Sequence, residues 1–454
     1  MPADASTIDR LTGDTVELLQ AMIRNQCVND GRAESGEEDR SARLLRDELE
    51  STGVDLQLFE PTPGRTSLIA RHQGSDPSAP ALCLMGHTDV VPVSPDGWQR
   101  DPFGGELVGA GDTAEVWGRG AVDMLNLTSS MAVAFKHIVT SGTRYPGDIV
   151  FFAVADEEAG GRHGAEVLVR DEWDALQCDY VLTEFGGFAY QRPEGATLLV
   201  TTAEKGIGWR RLRVKGTPGH GSAPLGADNA LIKAAEVVRR LSEYDPKAKL
   251  DDLWNAKIDA IGITGDLRDR LLDPSAVREA IDELPIGLAA NLHSCSHMSF
   301  SPNVIHGGVK TNVIPDEVVI EVDIRTLPGE TNIDVEANLS EALGDLADSV
   351  TVEIIHEDHS SASPAEGVLW DTLNDAMRVA YPEAAIIPSM VTGGTDSRFF
   401  RQRGVVAYGA GLLSASIDAG EFFKRFHGHN ERIDVASLRL TTRLWLDVVD
   451  RLWV

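Results

Sequence analysis

Ala81-Leu82-Cys83-Leu84-Met85-Gly86-His87-Thr88-Asp89 is an apolar run that ends abruptly in a histidine and a carboxylate. Residues 81–85 read as a buried strand. Ionisable side chains placed where such a strand stops predict a ligand site beyond the carboxyl edge of a sheet. The pattern recurs. Asp148 to Ala155 is a second apolar run, followed by Asp156-Glu157-Glu158, and Asp179 to Leu182 a third, followed by Thr183-Glu184. Helical patterning separates them at Ser129 to Ile138 and Ala165 to Val169, and precedes them at Thr12 to Met22 and Glu37 to Glu50. Strands and helices in alternation predict an α/β layer fold with a mostly parallel central sheet.

The pattern changes after Val200. Ile207 to Lys215 alternates apolar and polar, as a half-exposed antiparallel strand does. A Gly/Pro turn and an alanine-rich helix (Ala227 to Leu241) follow, then strands at Val318 to Ile324 and Val350 to Ile355 around a helix at Ile333 to Leu346. Helical patterning returns at Val368 to Ala380, before an apolar segment at Val405 to Tyr408. These shifts predict a discontinuous catalytic domain, residues 1–203 and 359–454, interrupted by an α+β insert over 204–358. The stretch from Lys247 to Ser301 is longer than such an insert needs, and its sequence assigns it no role.

A chain of 454 residues exceeds one hydrophobic core. Its 71 acidic against 41 basic residues give a net charge of −30, which repels nucleic acid and anionic membranes. The four cysteines (Cys27, Cys83, Cys178 and Cys295) form no CxxC pair and predict buried, reduced thiols. Met1 to Leu11 is polar, without the basic and apolar regions of a secretory signal, and no apolar run approaches a membrane span. A cytoplasmic location is the expectation.

Imidazoles and carboxylates without thiolates suit zinc or a similar divalent ion, and an excess of carboxylates suggests two ions sharing a ligand. His87 and Asp89 stand at i and i+2, where a carboxylate can orient a ligating ring, or where Asp89 merely caps a turn. Asp123 follows the Gly118-Arg119-Gly120 turn; it can bridge two ions or cap the helix that begins after it. Adjacent Glu157 and Glu158 repel one another unless something compensates: one can bind metal while the other handles a proton, or both can lie in a solvated loop. Glu184 alone is a weak signal. His427-Gly428-His429-Asn430-Glu431 offers two histidines, either of which could ligate or lie at the surface.

Together Gly86-His87-Thr88-Asp89-Val90-Val91-Pro92, Gly118-Arg119-Gly120-Ala121-Val122-Asp123-Met124 and Asp156-Glu157-Glu158 resemble the signatures of the M20 metallopeptidases. That family includes aminoacylases, acetylornithine and succinyl-diaminopimelate deacylases, dipeptidases and carboxypeptidases. Residues 206–224, Gly393-Gly394-Thr395-Asp396-Ser397-Arg398 and the His427 stretch extend the resemblance from about residue 15 to the C-terminus. It implies a zinc-peptidase-like catalytic domain whose insert is a lid that often dimerises. It also implies two Zn²⁺ per chain, with Co²⁺ or Mn²⁺ as substitutes. One ion would take His87 and Glu184, the other Glu158 and His427, with Asp123 bridging. Glu157 would be the general base on the bridging water, and Asp89 the partner of His87. His427 rather than His429 is preferred because the family's ligand stands three residues before the Asn-Glu pair.

The resemblance further implies that His220, in Gly216-Thr217-Pro218-Gly219-His220, hydrogen-bonds the developing oxyanion. Arg398, after a Gly-Gly loop, would grip a substrate carboxylate, with Asn312 as a second donor. The implied reaction is cleavage of an amide bond next to a free carboxylate in a small substrate, a dipeptide or an N-acyl amino acid. Carboxypeptidase or dipeptidase action leads, N-acyl-amino-acid deacylation is the alternative, and a non-catalytic metal-binding protein on the same fold is a third. The chain departs from many members at Leu125-Asn126-Leu127, where a lysine is common. His293 and His297, with Cys295 between them, have a metal-like spacing but lie in the segment least like the family, and are read as structural.

Overall fold

The structure, a computed structural model, describes residues 3–32, 34–94, 96–192, 195–417 and 419–454. Met1 and Pro2 of the polar N-terminal stretch lie outside the described residues. The chain divides into two compact units, one of residues 1–202, 363–389 and 395–454, the other of residues 203–362 and 390–394.

At the centre of the first unit four parallel strands lie in the order Ile149–Val154, Leu82–His87, Tyr180–Thr183 and Val406–Gly409. Their alternate side chains enter two cores, Leu84 and Phe151 on one face, Met85 and Phe152 on the other. Burial on both faces is why these strands are continuously apolar in sequence. The sheet is mixed rather than wholly parallel. Beside Ile149–Val154, a hairpin of Arg65–His72 and Asp55–Thr62 closes through Pro63-Gly64, a connection too short for anything but antiparallel pairing. At the other flank Gly195–Glu204 also runs antiparallel.

Helices Ala5–Asn25, Leu125–Thr140 and Val435–Arg451 cover one face of this sheet. The first begins a full two turns before the periodic stretch at Thr12, because Asp4 caps it by accepting the Thr7 N–H at 2.8 Å. All four cysteines are buried thiols. Among the described residues no helix is long and apolar enough to cross a membrane.

The second unit has a four-stranded antiparallel sheet in the order Ser299–Gly307, Glu317–Thr326, Gly206–Lys215 and Val350–Asp358. Every second residue of Glu317–Thr326 is buried, matching the alternation in its sequence. Helices Ala230–Glu243 and Asn332–Leu343 pack on the buried face through Ala234, Val237, Val335 and Leu339. The segment without a sequence assignment forms four helices, Asp252–Ile261, Gly265–Leu271, Val277–Asp282 and Ile286–Ser296. They enclose their own small core of Trp254, Ile258, Leu271, Ile281 and Leu292.

Candidate metal centre

His87 is the last residue of the strand Leu82–His87, and it is buried. Gly86 lets this strand press onto the helix Leu125–Thr140: a Cβ there would fall 2.4 Å from Thr128 Oγ1. Thr128 Oγ1 instead donates to the His87 carbonyl at 2.8 Å. Asp123 leaves the Gly118-Arg119-Gly120 turn, in which Gly120 has φ +85°. Glu157 and Glu158 open a short turn directly after Asp156, and Glu184 follows the strand Tyr180–Thr183. His427 arrives from the other end of the chain.

These side chains converge. Asp123 Oδ1 lies 3.2 Å from His87 Nε2, and Asp123 Oδ2 lies 3.2 Å from His427 Nε2. Glu158 Oε2 is 3.3 Å from His427 Nε2, and Glu184 Oε2 is 3.8 Å from His87 Nε2. Two trios result, His87–Asp123–Glu184 and Asp123–Glu158–His427, sharing Asp123. A tetrahedral ion with bonds of about 2.0–2.2 Å places its ligands about 3.3–3.6 Å apart; the Asp123–His87, Asp123–His427 and Glu158–His427 separations are near that spacing, and His87–Glu184, at 3.8 Å, is wider. Glu158 Oε1 is buried without a hydrogen-bond partner, a further acceptor for a cation.

The electrostatics agree. Burial and the like charge of Glu184 push the Glu157 carboxyl far up. Burial, reinforced by Asp123, pushes Glu158 up to about 7, and burial carries Glu184 up to about 8 against the pull of His87. Asp123 is the exception: burial raises it, but hydrogen bonds from His427 and His87 outweigh that and hold it well below the carboxylate range. Hydrogen bonds from Asp123 and Glu158 raise His427 to about 10. Four carboxylates crowded round two imidazoles call for positive charge, which a bound metal would supply.

The sequence of this chain matches Peptidase family M20/M25/M40 over residues 83–451. The chain belongs to that family. As an M20 chain it is a metal-dependent amidohydrolase. Its relatives include aminoacylase-1 of Mus musculus, 26% identical over 394 residues that cover 86% of this chain and 84% of that one. An M20 metallo-carboxypeptidase, Sso-CP2 of Sulfolobus solfataricus, shares its fold with TM-score 0.74 and 17% identity, over 97% of this chain and 99% of that one. The di-peptidase Dug1p of Saccharomyces cerevisiae does so with TM-score 0.67 and 19% identity, over 98% and 97% of the two chains.

Other expected residues of this M20 chain fall as follows. Asp89 turns only partly toward His87: His87 Nδ1 lies 3.0 Å from the Asp89 carbonyl and 3.5 Å from its carboxylate. The Asp89 carboxylate mainly accepts the backbone N–H of Glu157 at 3.2 Å and of Glu158 at 3.1 Å, besides Asn29 Nδ2 at 2.8 Å. Glu157 Oε2 stands 3.9 Å from His87 Nε2, at the rim of the cluster and in neither trio. His429 packs edge-on against Trp98 and lies outside both trios.

His220 and Asn312 belong to the second unit, where a short ribbon pairs Gly219–His220 with Val313–Ile314. Both are exposed there, and Gly221 N–H donates to the Asn312 carbonyl at 2.9 Å.

Arg398 belongs to the first unit. It lies in the helix Ser397–Arg401, not on a flexible loop, and is only 3% exposed. Its guanidinium donates to the carbonyls of Thr395 at 2.6 Å and Gly160 at 2.8 Å, and stacks 4.4 Å from the Phe399 ring. Through Gly160 it contacts the turn that carries Glu157 and Glu158.

Sequence reasoning missed the scaffold. Glu431, fully buried, accepts from the Val122 and Asp123 N–H groups and pairs with Arg119 Nη1 at 2.7 Å. Asn29 ties Asp89 to Asp156. Of the six left-handed non-glycine residues among the described residues, Asp156, Phe185, His427 and Asn430 lie in or beside the turns that carry Glu157, Glu184 and His427. The only sequence trace of Glu431 was its place in the His427 motif.

Proposed function

We propose that this chain is a di-zinc hydrolase that cleaves an amide bond next to a free carboxylate. The observation that carries the reading is Asp123, whose two oxygens face histidines of different trios at 3.2 Å each. In this reading His87 and Glu184 hold one zinc, Glu158 and His427 hold the other, and Asp123 belongs to both. When bound, the ions would polarise the scissile carbonyl and make a water acidic enough to attack near neutral pH.

Glu157, raised by burial and close to both trios without belonging to either, takes the proton of the attacking water. It then returns that proton to the leaving nitrogen. Asp89 fixes the Glu157-Glu158 backbone, and Arg398 braces the same turn through Gly160. His220 as oxyanion donor and Asn312 as carboxylate donor are supported by sequence resemblance.

Within this class, relatives of the aminoacylase-1 type favour N-acyl amino acids. Dipeptide or carboxypeptidase action is the second reading, favoured by the likeness to Sso-CP2 and Dug1p. A lid and dimerisation role for residues 204–358, with 1–203 and 359–454 as the catalytic part, completes the reading. A cytoplasmic setting is supported by the charge of −30 and the buried thiols.

The deciding experiment incubates zinc-loaded protein with a mixed panel of dipeptides and acylated amino acids and identifies products by mass spectrometry. Release of a free acid supports deacylation, and release of two amino acids supports peptidase action. Full zinc content with neither product overturns the proposal.

A further inference from the structure

A cation lies fully buried next to the turn that carries Glu157 and Glu158. Arg65, the first residue of the strand Arg65–His72, is 1% exposed, and Glu38, Asn29, Asp89 and Asp156 around it are buried too. Its Nη1 pairs with Glu38 Oε1 at 2.6 Å and lies 3.6 Å from Asp156 Oδ1. Its Nη2 donates to Asn29 Oδ1 at 3.1 Å, to the Arg32 carbonyl at 3.0 Å and to Ser35 Oγ at 3.3 Å. Gly36, at φ +91°, lets the chain fold over the guanidinium: a Cβ there would fall 2.1 Å from Arg65 Nη1 and 2.5 Å from both Glu38 carboxylate oxygens.

Two arms run from this guanidinium to the Glu157-Glu158 turn. In the first, Asn29 Oδ1 accepts from Arg65 and from the Gly31 N–H at 3.0 Å, which leaves Asn29 Nδ2 to donate to Asp89 at 2.8 Å and to Asp156 at 3.3 Å. Asp89 in turn accepts the backbone N–H of Glu157 at 3.2 Å and of Glu158 at 3.1 Å. In the second, Glu38 Oε1, held by Arg65, also accepts the Asp156 N–H at 3.3 Å. Asp156 has φ +73°, a left-handed conformation that persists only where its surroundings hold it. Stability alone is a poor account of the arrangement. A buried ion pair loses in hydration much of what it gains in attraction, and here Arg65 Nε and Glu38 Oε2 are left without hydrogen-bond partners. A planar fork with donors on two sides is suited to fixing both arms at once.

We infer that Arg65 is a positioning residue for the hydrolysis: its fork sets where the Glu157 and Glu158 backbone lies, through Asn29 and Asp89 on one side and Glu38 and Asp156 on the other. Among the described residues, its hydrogen bonds and ion pairs reach no member of either trio, so it acts only through its neighbours. The inference rests on the proposed reading of Glu157 as proton acceptor and Glu158 as ligand.

The test is a double-mutant cycle on full-length protein with zinc in excess, read on the best amide substrate of the panel described above. Arg65→Met should lower kcat about a hundredfold, with KM within about twofold of wild type. Arg65→Lys, which keeps the charge and loses the fork, should recover only part of that rate. Asn29→Ala, which cuts one arm and leaves Arg65 paired with Glu38, should lower kcat as well. In the double variant the two losses should fall short of multiplying, because Asn29 passes on what Arg65 sets. Arg71→Met is the control: it breaks an ion pair with Asp148 near the other end of the same strand, and should lower the urea midpoint while leaving kcat unchanged. A second readout needs no substrate. The backbone N–H groups of Glu157 and Glu158 should exchange about tenfold faster in Arg65→Met and Asn29→Ala than in wild type. Should Arg65→Met fail to fold, Arg65→Lys takes its place in both measurements. Wild-type kcat in Arg65→Lys and Asn29→Ala, losses that multiply, or wild-type exchange at Glu157 and Glu158 overturns the inference. A wild-type protein that hydrolyses nothing on the panel overturns the proposed reaction instead, and the exchange rates still decide whether Arg65 orders the turn.

Discussion

Glu431 holds Asp123 by its backbone: one Glu431 oxygen accepts the Asp123 N–H at 3.0 Å and the Val122 N–H at 2.7 Å, while the other meets Arg119. The carboxylate common to both trios is thus aimed by a residue 308 positions away in sequence. Glu431→Ala strands a buried guanidinium and two buried N–H groups. It should cost about 3–5 kcal/mol of stability, seen as a lower urea midpoint, and should lower zinc content. Glu431→Gln, which can still accept from one side, should lose less.

Glu157→Gln should reduce kcat by roughly 10²–10⁴-fold while zinc content, counted by mass spectrometry, stays at the wild-type level. Glu158→Gln and His427→Ala should lose zinc as well as activity, whereas His429→Ala should keep both. A substantially active Glu157→Gln enzyme would remove Glu157 from its proposed role.

Arg398 separates two roles by kinetics. As a brace on Gly160, its change to Ala should lower kcat and weaken zinc retention with little change in KM. As a substrate clamp, the same change should mainly raise KM. Steady-state rates on the best substrate decide, and the buried contacts described above favour the first outcome.

Tyr381 makes an alkaline test of the core. Burial, then nearby Asp434, raises its hydroxyl from 10.0 to about 12, and that hydroxyl donates to the Leu413 carbonyl at 2.5 Å. The folded state keeps the proton while the unfolded chain loses it, so this group's stabilisation is complete below pH 10 and declines between pH 10 and 12. Tyr381→Phe should be less stable by about 0.5–1.5 kcal/mol at pH 8. The difference should shrink and reverse near pH 11, as followed by urea unfolding across pH.

Much of the fold was legible because the central strands are buried on both faces. Leu84 and Met85, or Phe151 and Phe152, serve opposite cores, so the apolar runs are unbroken and their ends mark the ligand turns. The strand Asp55–Thr62 was not legible, since it is largely exposed and lacks that signal. The helices of 252–296 were missed because each is short and buries only a few residues in a local core. Ligand residue types at strand ends were visible, but their supports were not. Asn29 meets Asp89 across 60 positions, and nothing local in either stretch announces the pairing. The helix at Arg398 was not legible because Gly393-Gly394 suggests a loose loop, whereas three residues later the chain has entered the helix Ser397–Arg401.

The first unit is assembled from chain on both sides of the second. During synthesis His87, Asp123, Glu158 and Glu184 emerge from the ribosome long before His427 and Glu431. A nascent chain halted at the insert carries a crowd of carboxylates, with neither the histidine that completes one trio nor the glutamate that aims the shared aspartate. Under the proposed reading, hydrolytic competence is thereby withheld until the chain that follows the second unit has been made.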